Sequence, residues 1–168
     1  MAIVIRQLGP QDAGAYLTLR QESLGDAPHA FLSSPADDRF VSVDATRALL
    51  AGAPDAATFG ACDGELLGTV TLIRSTRLKS RHKADLVGMY VSPARRRRGI
   101  GRRLLAAAIA HARTLEGLRA IHLGVSDAAP GARALYEHAG FRWWGTEDEA
   151  LCVDGVMLAE HHMRLVLA

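Results

Sequence analysis

The sequence predicts an α/β protein: a single-domain mixed sheet of six to seven strands, mostly antiparallel, with helices on both faces. Three observations lead there. The β-rich runs between residues 57 and 91 follow one another with no helical period between them, as in an antiparallel meander. Residues 99–140 then alternate helix, strand and helix, the layout of a crossover that returns a strand to the same sheet. Finally, the segment 141–168 holds two strand-like runs around Asp154-Gly155, a dipeptide that favours a tight hairpin turn.

In chain order, "IVIRQL" (3–8) reads as a first strand. "GPQDAGAYLTLRQESLG" reads as an amphipathic helix starting near Asp12, with Ala13, Tyr16, Leu17 and Leu24 on one face and Gly25 as its stop. The Pro, Ser and Asp content of 26–38 predicts a loop, and "SVDATRALLAGA" (42–53) a short helix capped by Ser42 or Asp44. Two β-rich runs flank Cys62-Asp63-Gly64-Glu65 and form a hairpin. A basic loop (76–83) leads into a third run, "ADLVGMYV" (84–91), where Gly88 marks a bulge or a close backbone approach. Ile100, Leu104, Leu105, Ala108, Ile109, Ala112 and Leu115 repeat at helical period from Gly99 to the stop at Gly117. "RAIHLGV" (119–125) is a strand, and "PGARALYEHAG" (130–140) a helix with Pro in its first turn and Gly at its end.

With 168 residues the chain is long enough for one substantial core and short for two ordinary domains. Hydrophobic residues at 49% and charged residues at 23% argue against disorder. No apolar run is long enough to span a bilayer and the start lacks the layout of a signal peptide, so the expected compartment is the cytoplasm, with no membrane partner. Cys62 and Cys152 have no disulfide or metal spacing and are expected to be buried thiols; the seven histidines offer no metal pair on one helix, and no metal is expected.

The densest feature is "VSPARRRRGIGRRLL" (91–105), with six arginines between residues 95 and 103 at the start of a helix. A helix amino end already carries the positive pole of the peptide dipoles, so each cation there costs about 0.3–1 kcal/mol unless an anion completes the site. A dinucleotide fingerprint needs glycine where Leu104 stands, and a P-loop needs a Lys-Ser or Lys-Thr that is absent. A strand, a Gly-x-Gly step without bulky side chains and a helix amino end remain, and together they suit a phosphate. The alternatives are a solvated charged face or a nucleic-acid-binding module. The latter would add aromatic platforms, yet aromatic residues are only 5% of the chain and none lies between 92 and 115, so no nucleic-acid partner is expected.

This segment resembles the pyrophosphate-binding motif of the GNAT superfamily of acyl-CoA-dependent N-acyltransferases, with Arg96, Gly99 and Gly101 at its defining positions. "ARALYEHAGF" (132–141) is similar to the family's later signature, at the family's distance from the first. The resemblance implies the acyl-CoA N-acyltransferase (GNAT) fold in a single N-acetyltransferase domain over 1–168, with acetyl-CoA as co-substrate. It implies that the diphosphate sits on the N–H groups of residues 96–101, with Arg95, Arg96, Arg97, Arg98, Arg102 and Arg103 available to a further phosphate and Ile100 inside the loop. It places Met89 and Val91 along the pantetheine arm, with the N–H of Met89 or Tyr90 as a donor to the thioester carbonyl. Ala132 opens the second motif. Ala129 stands where the family often has an Asn that contacts the cofactor, so that side-chain contact is missing.

The resemblance also implies two catalytic groups. Asp85 occupies the position of a catalytic glutamate and, one methylene shorter, would remove the amine's proton through a water; the alternative is a strand carboxylate paired with Lys83 or Arg81. His82 and His161 are weaker alternative bases. Tyr136 occupies the position of the general acid at the leaving sulfur; the alternative is a helix tyrosine packed on the sheet. The amine acceptor, a small molecule or a peptide, is expected between the segment 26–50 and the last hairpin, where Glu147, Asp148, Glu149 and Asp154 offer an acidic rim. The expected reaction is direct attack in a ternary complex by a monomer or homodimer; a non-catalytic acyl-CoA sensor is the other reading of the same motifs.

Overall fold

A computed structural model describes residues 2–52 and 54–167, so Ala53, the last residue of the predicted second helix, and both ends of the expected domain lie outside the described residues. The elements are β1 (Val4–Gln7), α1 (Ala13–Asp26), α2 (Val43–Leu50), β2 (Ala56–Asp63), β3 (Glu65–Arg74), β4 (Lys83–Val91), α3 (Ile100–Thr114), β5 (Ala120–Ser126), α4 (Pro130–His138), β6 (Arg142–Val153) and β7 (Val156–Val166). The seven strands form one sheet in the order β1-β2-β3-β4-β5-β7-β6, antiparallel except where β5 joins β4.

The turns follow their residues. Asp154 and Gly155, with φ of 50° and 80°, link Val153 to its partner Val156 in the left-handed conformation that the two-residue hairpin needs. Ser42 caps α2 by accepting a hydrogen bond from Ala45 N at 3.1 Å.

Strand alternation separates the two layers. Val70 and Leu72 of β3 point to α3, whose Leu104, Leu105, Ala108 and Ala112 are essentially inaccessible. α4 lies on the same face, where Tyr136 and Phe141 pack with Leu123, Val125 and Met163. Thr69 and Thr71 point the other way, and Thr71 lies by Tyr16 of α1. On α1 the buried residues are Ala13, Tyr16, Leu19, Ser23 and Leu24, so Leu19 replaces the expected Leu17 on the inner face. The helix runs one residue past Gly25, which puts the Asp26 carboxylate beside the arginine loop.

Two expectations are corrected. Cys62 is half-buried and Cys152 exposed, because the final hairpin reaches beyond the helices that would cover it. The segment 26–38 is more than a solvated loop: Asp38 is 8% exposed and accepts two hydrogen bonds from Arg20, each 3.0 Å, while the Arg20 guanidinium lies 4.9 Å from the Phe31 ring and 5.8 Å from that of Phe40. That bidentate pair pins the loop to α1. Removing the cation leaves a buried carboxylate without compensation, so Arg20→Ala is expected to destabilise the protein by about 3 kcal/mol, read as a lowered urea midpoint at unchanged slope.

Candidate active site

The site originates in β4. Gly68, Thr69 and Thr71 of β3 pair with Val91, Tyr90 and Val87, so that Val70 alone faces both Gly88 and Met89, and Gly88 takes φ of 63°. The bulge turns Tyr90 onto the α1 face. Towards β5, the parallel ladder runs Lys83↔Ala120, Ala84↔Ile121 and Asp85↔His122 and then ends. Beyond that point the two strands no longer pair, and a cavity lies against them that reaches Leu86 and Leu123 of the core.

On the helix-covered face, beside Met89 of β4, stands the amino end of α3. Gly99, at φ 75° and ψ 6°, begins the helix without a side-chain cap, Arg97 is also left-handed at φ 63°, and no acidic residue stands in the first turn. Among the described residues, none of the backbone N–H groups of residues 97–102 finds an acceptor in the chain. Six adjacent donors of this kind are an anion cradle. Gly101 serves close packing, since a Cβ there would lie 3.3 Å from both Leu135 of α4 and Met89 of β4. Ile100 is buried and anchors the helix on the sheet.

The arginines divide into two groups. Arg95 donates to Glu65 Oε1 at 2.8 Å, and Arg103 to the Ile3 carbonyl at 2.8 Å. Arg96 donates to the Val91 carbonyl at 2.9 Å and pairs with Asp26, with its guanidinium 5.5 Å from the Tyr90 ring; its N–H bonds Pro93 O at 3.2 Å. Arg96 is therefore tied down, and the run of free N–H groups begins one residue later than the sequence suggests. Arg97, Arg98 and Arg102 make no ion pair among the described residues and remain for a ligand. The cradle fits a diphosphate in donor count and charge.

Tyr136 is buried on α4, edge-on to Phe141 at 5.8 Å, and its hydroxyl makes no hydrogen bond among the described residues. Burial pushes this phenol well above its ordinary value, so it stays protonated. Tyr90 is pushed up too, by burial and then by donating to Glu22 Oε1 at 3.0 Å, with Asp26 Oδ2 at 3.2 Å. Met89 and Val91 are half-buried against the core that carries α3. Ala129 precedes α4 without a side-chain cap and its carbonyl accepts from Ala132 N and Arg133 N, both 3.1 Å; Ala132 packs on the core.

The opposite face of the sheet carries a cavity of about 430 Å³. Asp85 lines it and is exposed, and no cation pairs with it among the described residues: Arg81 is 3.2 Å from Asp55 instead. Beside it, burial first and then the Lys83 charge hold His122 below the ordinary histidine value, against the opposing pull of Asp85. His82 is exposed just before β4, and His161 lies tilted against Trp143 with ring centroids 5.0 Å apart, on the α4 side away from Asp85. Of the predicted acidic rim, Glu147 approaches the cavity, 3.5 Å from His162 Nε2, whereas Asp148, Glu149 and Asp154 do not line it. The sequence reading missed Glu160, His162 and Trp144, which line it from β6 and β7. Among the described residues no three His, Cys, Asp or Glu side chains converge as a metal site, and no helix is long and apolar enough to cross a membrane.

A mixed sheet whose two parallel strands pair over three residues and then part, with an anion cradle beside the parting, defines the fold and its candidate site. The sequence signature described as the Acetyltransferase (GNAT) family matches residues 17–141, and the chain belongs to that family of acetyltransferases. Solved structures agree in fold. A GNAT-family acetyltransferase from Streptococcus pneumoniae superposes with a TM-score of 0.89 at 22% identity, over 99% of this chain and 100% of that one. A phosphinothricin acetyltransferase from Sinorhizobium meliloti, solved with acetyl-CoA, gives 0.85 at 21%, over 100% and 90%. A spermidine N-acetyltransferase from Vibrio cholerae, solved with CoA and spermine, gives 0.81 at 21%, over 98% and 95%. No curated protein sequence matches the chain.

All three tyrosines are shifted upward: Tyr16 and Tyr136 chiefly by burial, and Tyr90 by burial with Glu22. A raised folded-state value stabilises the fold below the unfolded phenol value, near about pH 10, and the contribution is lost as pH rises further. The folded protein is expected to show phenolate absorbance only at higher pH than the unfolded chain, with stability falling from about pH 10 upward; a spectroscopic titration beside urea melts measures both.

Proposed function

We propose that the chain transfers the acetyl group of acetyl-CoA to a primary amine by direct attack. The observation that carries the reading is the uninterrupted run of unpaired N–H groups at residues 97–102 where β4 and β5 part. Those groups, with Arg97, Arg98 and Arg102, hold the diphosphate and the remaining phosphate. The freed edge of β4 at Met89, Tyr90 and Val91 receives the pantetheine arm, and the N–H of Met89 or Tyr90 donates to the thioester carbonyl. Ile100 and Gly101 shape the seat from beneath, Ala129 and Ala132 border the arm from α4, and Arg96 holds the loop in register from behind.

Acetyl-CoA supplies an acetyl thioester, whose C–S bond breaks as the acceptor's C–N bond forms. An alkylamine is protonated near neutral pH, so one proton must leave before attack. Asp85, exposed and without a cationic partner among the described residues, takes that proton through a water and passes it to solvent. Tyr136 gives its hydroxyl proton to the departing sulfur, and the second proton shed by the nitrogen restores the phenol. A phenol held protonated by burial suits that task. The reading extends to a single domain over 1–168 acting in the cytoplasm as a monomer or homodimer, on a small-molecule or peptide amine and without nucleic acid, membrane or metal.

Thiol release from acetyl-CoA with a panel of primary amines tests the activity. Tyr136→Phe is expected to lower kcat by about 10²–10⁴ while acetyl-CoA still raises the melting temperature. Arg98→Glu with Gly99→Asp places carboxylates at the cradle and is expected to abolish that stabilisation. Normal acetyl-CoA binding by the double variant contradicts the site.

A further inference from the structure

The acceptor cavity has two ends of opposite charge, and among the described residues neither is paired with an Asp, Glu, Lys or Arg side chain. At one end the Glu160 carboxylate lies directly over Gly124, so close that a Cβ on that residue would fall 2.2 Å from Oε1. Its side chain is 19% exposed and accepts no hydrogen bond among the described residues; the nearest basic nitrogen is His162 Nδ1 at 3.8 Å. His162 is stacked beneath Trp144, with the ring centroids 5.6 Å apart, so a flat apolar wall stands beside the carboxylate. Gly124 belongs to the part of β5 beyond its last pairing with β4, which puts Glu160 at the separation of the strands.

At the other end stands Lys83. It lines the same cavity with Ser75 and Ser80, whose hydroxyls are 2.5 Å apart, and has no carboxylate within ion-pair distance among the described residues. His122 beside it is held down by burial first and then by the Lys83 charge, with Asp85 pulling the other way and Arg164 adding to Lys83. Half-buried charges lose hydration and gain nothing in return unless a ligand brings the complementary groups. The ladder fixes their spacing. Lys83 is level with Ala120, four residues before Gly124, so about 13 Å of strand separates the two ends, which the reach of a lysine side chain reduces to roughly half.

We propose that the acceptor is a dipolar molecule of the ω-amino-acid class, whose ammonium is held by Glu160 beside the parted strands and whose anionic group, several carbons away, is held by Lys83. This rests on the acetyl-transfer reading above and names the substrate class of that same site. Glu160 is a specificity-determining residue: it presents the nitrogen, and the proton and the acetyl group move as already described. A diamine would set its second ammonium against Lys83, and a monoamine would leave Lys83 unpaired. Both are disfavoured by the far end of the cavity alone.

Three acceptors of equal chain length isolate that end: 6-aminohexanoate, hexylamine and 1,6-diaminohexane. The expected kcat/KM for 6-aminohexanoate exceeds that for hexylamine by about 10-fold and that for the diamine by more, since one ion pair in a half-buried site corresponds to about a tenfold change. Lys83→Met is expected to bring the first ratio to about one, and Lys83→Glu to invert the order in favour of the diamine. Glu160→Gln and Gly124→Ala, the second by displacing the carboxylate without removing it, are each expected to raise the acceptor KM at least tenfold while the acetyl-CoA melting shift persists. A wild type that prefers the diamine or hexylamine, that acetylates only peptides, or whose selectivity ratio survives Lys83→Met would overturn the proposal while acetyl-CoA binding remains normal. Loss of the acetyl-CoA shift in the wild type would instead overturn the functional reading, and this inference with it.

Discussion

The structure depends on where one short parallel ladder stops. β4 and β5 share three registered pairs and then part after Asp85 and His122. The cause lies on the far side of β4, where Gly88 and Met89 occupy the space opposite a single residue of β3. A bulge bends the strand that carries it and strengthens its local twist, so β4 leaves β5 while keeping its ladder with β3. Gly88 can take the left-handed conformation at little cost because it has no Cβ. Two open strand edges inside a sheet are ordinarily a liability. Here the charged cavity lies against them on one face of the sheet, while the α3 cradle stands beside Met89 of β4 on the other.

The arginine run makes sense only against that cradle. Three of its members are structural: Arg95 reaches the β2–β3 hairpin, Arg103 reaches the segment before β1, and Arg96 ties the loop to the end of α1 through Asp26. Tyr90 completes this last link, since its hydroxyl donates to Glu22 on the same helix while its ring lies under the Arg96 guanidinium. The left-handed Arg97 and Gly99 can then aim the intervening N–H groups outward without the loop collapsing onto the sheet. Among the described residues, three unpaired guanidinium groups and six unpaired N–H groups concentrate positive potential at one point. A dianionic ligand relieves both the mutual repulsion of the arginines and their conflict with the helix dipole.

Much of this architecture was legible locally. The stripe from Ile100 to Ala112, the Asp154-Gly155 turn and the bulge at Gly88 each follow from a few adjacent residues, and each stands where the pattern put it. The cradle was legible for the same reason: Gly99, Gly101 and the arginines are neighbours in the chain. What escaped is what only the tertiary fold assembles. Glu160 is meaningful because it covers Gly124 on another strand, and no period within β7 marks it. The partition of the arginines was equally invisible, because Asp26, Glu65 and the Ile3 carbonyl are brought to them by elements 30 to 100 residues away. Asp38 looked like part of a polar loop for want of any local sign that Arg20 waits beneath it.

The central claim is that the amides of residues 97–102 are the seat of a diphosphate. A titration of the ¹⁵N-labelled protein with coenzyme A, followed through its amide resonances, reads those groups one by one. The account predicts that the amides of Arg97 to Arg102 shift together and gain protection from exchange, with Met89 to Val91 following. Coenzyme A binding that moves other amides and leaves these six unchanged would contradict it.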